Sequence, residues 1–431
     1  MSPTFRALAN PNYRRYAAGS LVSNTGTWMQ RVAQDWLVLH VPGSLGGTSL
    51  GITTGLQFLP ILLLSPYAGL IADRFPKRKL LQLTQLMMAV PALLLGALAV
   101  TGAAQAWHVY VLAFVFGIGT AFDGPARQSF VSEIVTADDL TNAVGLNSAS
   151  FNAARLVGPA VAGLLIAAFG GGAEGTGWVI VLNAISYTAP VLALRGMNAD
   201  LLRPATPAPR GKGMIREGVR YVRGRPDLML ILAIVFFAGT FGLNFQMTSA
   251  LMATEVFDRG AAAYGLLGTF IAVGSLTGAL LAARRPHVPL RLVVGSALVF
   301  GALEVVAGLL PTYLTFALWM PLIGVSALTM ITAANTLMQV STAPALRGRV
   351  MALYMMIFMG GTPLGAPAIG WIGEVLGARW TLLLGGSLTM VGTALSALLY
   401  LRSRRVLTGV TRPGRLFPRV WDNQAITRAR T

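Results

Sequence analysis

Twelve apolar runs, each about long enough to cross a bilayer as a helix, alternate along this chain with short joints that are polar or carry Gly and Pro. Spanning the hydrocarbon takes roughly 20 mostly apolar residues, and every backbone polar group must then be satisfied within the segment, so the pattern leaves little besides transmembrane helices. The first six runs lie at about 16–40, 48–72, 80–101, 107–124, 141–169 and 177–195. The second six lie at about 228–253, 262–283, 290–310, 314–336, 349–372 and 378–402. With 55% hydrophobic and only 11% charged residues, the chain lacks the polar material to cover a soluble globule. The first run is itself long enough to span, and no cleavable leader is expected.

The basic residues set the topology. Placing the N-terminus in the cytoplasm puts 29 of the 33 Lys and Arg in cytoplasmic segments. Only Arg259 and Arg379 then fall in opposite joints, and Arg31 and Arg155 fall within spans. This positive-inside bias predicts that both termini are cytoplasmic, in a plasma (inner) membrane. The net charge of +18 is thereby a topology signal and not a nucleic-acid footprint. Basic joints facing the cytoplasm are also expected to meet anionic lipid headgroups.

Two halves are visible. Gly69 and Gly278, 209 residues apart, each stand at the end of a second span of a half, and Gly117 and Gly324 are 207 apart. Gly158-Pro159-Ala160-Val161-Ala162-Gly163 and Gly365-Ala366-Pro367-Ala368-Ile369-Gly370 repeat at the same offset of 207. A six-helix unit used twice predicts two bundles around a midplane substrate site. The division expected is 1–195 for the first bundle, 196–226 for a cytoplasmic linker, 227–402 for the second bundle and 403–431 for a basic tail that is disordered or rests on lipid. Within the linker, prolines at 204, 207 and 209 mark a flexible joint, and Ile215, Val219 and Val222 then recur as on a helix lying at headgroup level.

Charges within spans are functional candidates, because each is costly in hydrocarbon and needs a partner. Arg31 and Asp35 lie four apart on one face of the first span. They read either as a structural pair or, for Asp35, as a coupling carboxylate. Asp123 precedes Pro125 near the cytoplasmic end of the fourth span, where Arg127 can neutralise it. Arg155, one turn before Gly158, should point inward to a carboxylate or to an anionic group of the substrate. Glu304 sits among Leu303, Val305 and Val306, as suits a carboxylate that exchanges protons or one that hydrogen-bonds a neighbouring helix. Candidate substrate-lining groups are Asn24, Gln30, Asn147, Asn152, Asn244, Gln246, Asn335 and Gln339. Trp28, Trp36, Phe236, Phe237, Phe241 and Phe245 supply apolar wall, with Trp36 also placed to anchor at the interface.

Other chemistries find little support. The chain has no cysteine and three scattered histidines, so thiolate and histidine metal sites are not expected. Asp138-Asp139 is the only acidic pair and reads as a first-turn helix charge, which disfavours an integral-membrane enzyme. No Gly-Lys-Ser/Thr phosphate loop occurs, which disfavours an ATP-driven pump.

The stretch Gly69-Leu-Ile-Ala-Asp73-Arg74-Phe-Pro-Lys77-Arg78-Lys79 resembles the loop motif of the major facilitator superfamily, with Pro76 where the family has a second glycine. At the equivalent place the second half keeps Gly278 and its cations, and Ala282 replaces the aspartate. Pro125-Ala126-Arg127-Gln128, Val131-Ser132-Glu133, Leu140-Thr141-Asn142-Ala143, Asn147-Ser148 and Gly158-Pro159 resemble the enterobactin-exporter-like branch of drug and siderophore exporters. So do Gln34-Asp35-Trp36-Leu37-Val38 and Tyr264-Gly265-Leu266-Leu267. The resemblance implies a 12-helix, all-α membrane protein built as two pseudo-symmetric six-helix bundles. It further implies a proton-coupled exporter of an amphipathic small molecule, monomeric and without a cofactor, working by alternating access. An importer or facilitated carrier on the same fold is the alternative. Gly69, Asp73, Arg74, Lys77 and Arg78 would form a charge latch with the second half. Gly158, Pro159 and Gly163 resemble the helix-five antiporter motif and imply a packing seam or a bend that seals the outer end.

Overall fold

The computed structural model describes residues 3–203, 214–283, 285, 288–343 and 346–408. Every regular element among them is helical. The first half contains α1 (Pro11–His40), α2 (Gly46–Arg74), α3 (Lys77–Val100), α4 (Ala106–Ile134), α5 (Ala137–Ala168), α6 (Ala173–Ser186) and α7 (Thr188–Arg195). The remainder contains α8 (Met214–Arg223), α9 (Pro226–Phe237), α10 (Phe245–Leu251), α11 (Ala261–Ala283), α12 (Leu290–Leu309), α13 (Tyr313–Val340), α14 (Arg347–Gly360), α15 (Thr362–Leu376) and α16 (Ala378–Thr408). Joined across short interruptions, these give 11 stretches long and apolar enough to cross a membrane. The run expected as the first span is α1, a 30-residue helix not among those 11, because Asn12, Ser20, Ser23, Gln30, Arg31, Gln34 and Asp35 dilute its hydropathy.

Local chemistry explains the helix ends. Asn10 caps α1 by accepting from the backbone N–H groups of Asn12 at 2.9 Å and Tyr13 at 3.1 Å, with Pro11 in the first turn, where its missing N–H costs nothing. Thr312 and Thr315 cap α13 reciprocally. Gly377, at φ +98°, permits the reversal between α15 and α16. The run 226–256 is not one smooth helix: π-helical turns at Ala238–Gly242 and Met252–Val256 flank α10. Asn244 donates to the carbonyls of Thr240 at 3.0 Å and Phe241 at 3.2 Å, satisfying acceptors that this irregular turn frees.

Two expected boundaries shift. The helix expected to end at 402 continues to Thr408, so the basic tail starts later, and residues 409–431 lie outside those described. The linker prolines at 204, 207 and 209 also lie outside the described residues. The short helix expected within the linker is α8. Its Val222 is buried, and Glu217 forms an ion pair with Arg349 of α14.

The structure forms two compact units, neither of them a continuous segment. One consists of Met1–Arg210, Gln246–Ala272 and Ala366–Ala378; the other consists of Gly211–Phe245, Val273–Gly365 and Arg379–Thr431. Two glycine seams run through the first unit. A Cβ on Gly163 of α5 would lie 2.5 Å from the Ala261 carbonyl oxygen of α11, and one on Gly268 would lie 2.9 Å from the Cβ of Pro159. A Cβ on Gly47 of α2 would lie 2.5 Å from the Gly370 carbonyl oxygen of α15, and Gly51 lies equally tight on the Ala366 carbonyl. Only small residues permit such backbone approach between helices. Gly163 and Gly370 are equivalent in the 207-residue repeat, so the repeated motif performs the same packing task twice. Gly158 adds a third contact, against Trp28 of α1.

In the second unit, Gly301 and Gly386 bring α12 and α16 into similar contact, and Gly239 abuts the Phe358 carbonyl of α14. Arg379 donates to the carbonyls of Gly308 and Leu310, both at 2.8 Å, so a cation closes the C-terminal end of α12.

Candidate functional site

The basic turn is tighter than a loop. Only Phe75 and Pro76 separate α2 from α3, so Lys77, Arg78 and Lys79 occupy the first turn of α3, where the helix dipole disfavours cations. Partners offset that cost. Buried Lys77 is 2.5 Å from Glu133 Oε1 of α4. Arg78 donates to the carbonyls of Leu194 at 2.7 Å and Arg195 at 2.8 Å, at the negative end of α7. Arg15 reaches the next carbonyl, that of Gly196. Lys77 and Arg78 are thus engaged within the first half. Arg74 is exposed, Gly69 lies within α2, and the Asp73 side chain lies outside the described residues.

Asp123 behaves as its neighbour Arg127 foretells. The two form an ion pair at 2.9 Å one helical turn apart. Thr84 at 2.9 Å and Gln85 at 2.7 Å donate to the other carboxylate oxygen from α3, and Arg127 reaches Ser20 Oγ of α1 at 3.2 Å. This carboxylate is saturated with donors and, with Arg127, ties α1, α3 and α4 together.

Arg31 and Asp35 do not pair. Although spaced for contact on α1, they form no ion pair among the described residues. The guanidinium of Arg31 instead lies 4.7 Å over the Trp28 ring and 5.8 Å from the Phe58 ring, and its buried Nε has no hydrogen-bond partner among the described residues. Asp35, also buried, accepts a 2.9 Å hydrogen bond from the Tyr264 hydroxyl of α11. Tyr264 stacks on Trp36 with ring centroids 6.3 Å apart, and Trp36 stacks on His40 at 4.6 Å. Trp36 is buried in this column, with its indole N–H donating to the Gly171 carbonyl, and does not serve as an interface anchor. Tyr264, 229 residues away in sequence, is the partner that one-dimensional spacing does not reveal.

Among the described residues, Arg155 forms no ion pair with a carboxylate. Its guanidinium lies 5.6 Å from the same Trp28 ring that Arg31 covers. Trp28 is fixed by the Gly158 contact and by an edge-on ring contact with Phe151 at 5.8 Å.

Glu304, in the other unit, is buried in α12. Its Oε2 has no hydrogen-bond partner among the described residues and lies 3.0 Å from where a Cβ on Gly242, in the π turn, would stand. Thr389 Oγ1 lies 2.9 Å from the same point and donates to its own helix, to Gly385. The interhelical hydrogen bond open to Glu304 is therefore not formed.

The uncharged candidates divide. Gln30 accepts from Asn183 of α6, and Asn244 serves the π turn, so both are occupied by structure. Asn335 accepts from Gln339 one turn along α13. Asn152 donates to the Ser148 carbonyl of its own helix. Asn147 receives only a long 3.5 Å contact from Tyr13, while Asn24 and Gln246 are half-buried.

Charged groups buried among helices long and apolar enough to cross a membrane are the architecture of a polytopic membrane protein. Residues 2–412 match the family described as transmembrane secretion effector, and the chain belongs to that family of major facilitator superfamily transporters. It is similar to the multidrug efflux pump Tap of Mycolicibacterium fortuitum, 29% identical over 378 residues that cover 84% of this chain and 90% of that one. It is also similar to the staphyloferrin A transporter of Staphylococcus aureus, 25% identical over 270 residues, covering 62% and 65%. The crystal structure of a bacterial homologue of the lysosomal transporter Spinster, in an inward-facing, unoccupied conformation, shares the fold with a TM-score of 0.69 at 16% identity, over 94% of this chain and 99% of that one. A bacterial homologue of ferroportin gives 0.67 at 15% identity, covering 91% and 98%.

Proposed function

We propose that this protein is a proton-coupled exporter of an amphipathic small molecule, operating by alternating access in a bacterial inner membrane. In this reading α1 is the twelfth span, both termini are cytoplasmic, the unit is a monomer, the proton gradient is the only energy source and anionic lipids meet the basic joints. The observation that carries it is Asp35: a buried carboxylate in a helix of the first half, held by a tyrosine from the second half. An ionised carboxylate is a stronger acceptor than a protonated one, so loading a proton weakens the bond to Tyr264 and loosens α11 from α1. The aromatic column and the glycine seam beside it give that loosening a defined place to act. The efflux and siderophore transporters among its relatives support small-molecule export.

The test is accumulation of a panel of antibiotics, dyes and siderophores in a transporter-deleted host, with and without an uncoupler. Expression should lower accumulation of at least one compound, and the uncoupler should restore it. Export that survives full collapse of the gradient would sink the coupling.

A further inference from the structure

Two arginines of the first unit converge on one indole, and neither forms an ion pair with a carboxylate among the described residues. Arg31 of α1 and Arg155 of α5 lie 4.7 and 5.6 Å from the Trp28 ring centroid. Their depths agree: 20 residues into α1 and 18 into α5 correspond to ~30 and ~27 Å of helix rise from the same side. Neither guanidinium makes a hydrogen bond or ion pair among the described residues, and Arg31 Nε is wholly buried without a partner.

The charges acting on the pair are few. Arg31 acts on Arg155, and Asp35 acts on Arg31 from one turn away while accepting a hydrogen bond from Tyr264. Even with Asp35 ionised, one positive charge stays uncompensated. Leaving two cations this close inside a membrane helix bundle is costly unless an anion visits them. Cation–π contact with Trp28 and Phe58 moderates the cost without supplying a counter-charge.

One side of the cradle is open. Phe151, Ser148 and Val144 precede Arg155 by 4, 7 and 11 residues, on the same face of α5, and all three are exposed. An uncompensated guanidinium does not face lipid, so this face borders a polar path. The exposed ring of Phe151 against Trp28 adds an aromatic surface beside the charges.

We infer that Arg31 and Arg155 form a carboxylate-binding cradle on Trp28, and that the compounds this transporter moves are aromatic or otherwise apolar carboxylates. The inference rests on the transport reading for its physiological meaning, although binding itself needs no gradient. Two guanidinium forks suit a carboxylate geometrically, and the indole and Phe151 receive the apolar body. An inside-negative potential favours outward movement of such an anion.

The experiment uses the full chain in lipid nanodiscs and three probes with one aromatic body: tritiated 1-naphthylacetate, with 1-naphthylacetamide and 1-naphthylmethylamine as competitors. The carboxylate should bind about tenfold or more tightly than the amide or the amine. Arg31→Gln and Arg155→Gln should each erode that preference, the double variant should abolish it, and Arg155→Lys should keep part of it. Amide affinity, read on the same samples, reports whether the aromatic surface is intact. Equal binding of carboxylate and amide by the unaltered protein, or a double variant that keeps the preference, overturns the cradle. The first of these outcomes requires no variant to fold. Binding selectivity without any gradient-driven movement would count against the transport reading alone, whereas gradient-driven export confined to cations and neutral compounds would count against the cradle alone.

Discussion

The hydroxyl of Tyr264 donates to Asp35 Oδ2 at 2.9 Å, joining two residues 229 positions apart. Asp35→Asn keeps the shape and an acceptor but removes the proton site. Export of the best panel compound should lose its dependence on the gradient, and substrate-induced proton movement in proteoliposomes should vanish. Tyr264→Phe retains the carboxylate and should slow export without uncoupling it. Proton movement persisting in Asp35→Asn would move the coupling site elsewhere.

Lys77 and Glu133 are both buried, and removing one side of such a pair takes a close counter-charge from the other. Lys77→Met should lower stability by about 3–5 kcal/mol, whereas Lys77→Met combined with Glu133→Met should recover most of the loss. Thermal unfolding followed by size-exclusion chromatography in detergent measures both. Equal losses in the single and double variants would show that the loss does not come from the Glu133 charge.

Gly163 and Gly370 occupy equivalent positions in two glycine seams. Gly163→Leu or Gly370→Leu places a branched side chain on a facing backbone, a strain of about 1–3 kcal/mol or more. Each should insert into the membrane yet lose export, with Gly163→Ala milder. Full export by both leucine variants would show that these seams are not needed in the transport cycle.

Glu304 has a buried oxygen with no partner among the described residues, and such a group costs about 1–3 kcal/mol. Glu304→Leu, close in size and facing Phe300 and the Gly242 turn, should therefore raise the unfolding midpoint. Loss of export in the stabilised variant would identify Glu304 as functional, and a lowered midpoint would refute the lack of a partner.

Much of the fold was legible in the sequence because hydropathy, charge bias and the 207-residue repeat are all one-dimensional. Asp123–Arg127 was legible for the same reason, since residues four apart on a helix are neighbours. Arg31 and Asp35 share that spacing, yet Arg31 turns to Trp28 and Asp35 to Tyr264. Spacing states which residues can meet; the competing partners come from other helices. Lys77 similarly reads as part of a latch until Glu133, 56 residues on, comes into contact with it. The interruptions in 226–256 had no Pro to announce them.

In the alternating-access cycle proposed above, the glycine seams would set how this protein comes apart and closes again. Where glycine meets backbone, there is no interlocking of large side chains to withdraw and little rotamer freedom to lose on return. A joint of that kind adheres over its whole length but offers little friction to separation, and it can be remade in the same register each time. Specificity of alignment then falls to the few directional contacts alongside it, of which the Tyr264 hydroxyl on Asp35 is one. A molecule built this way can cycle repeatedly between two arrangements without rebuilding a core.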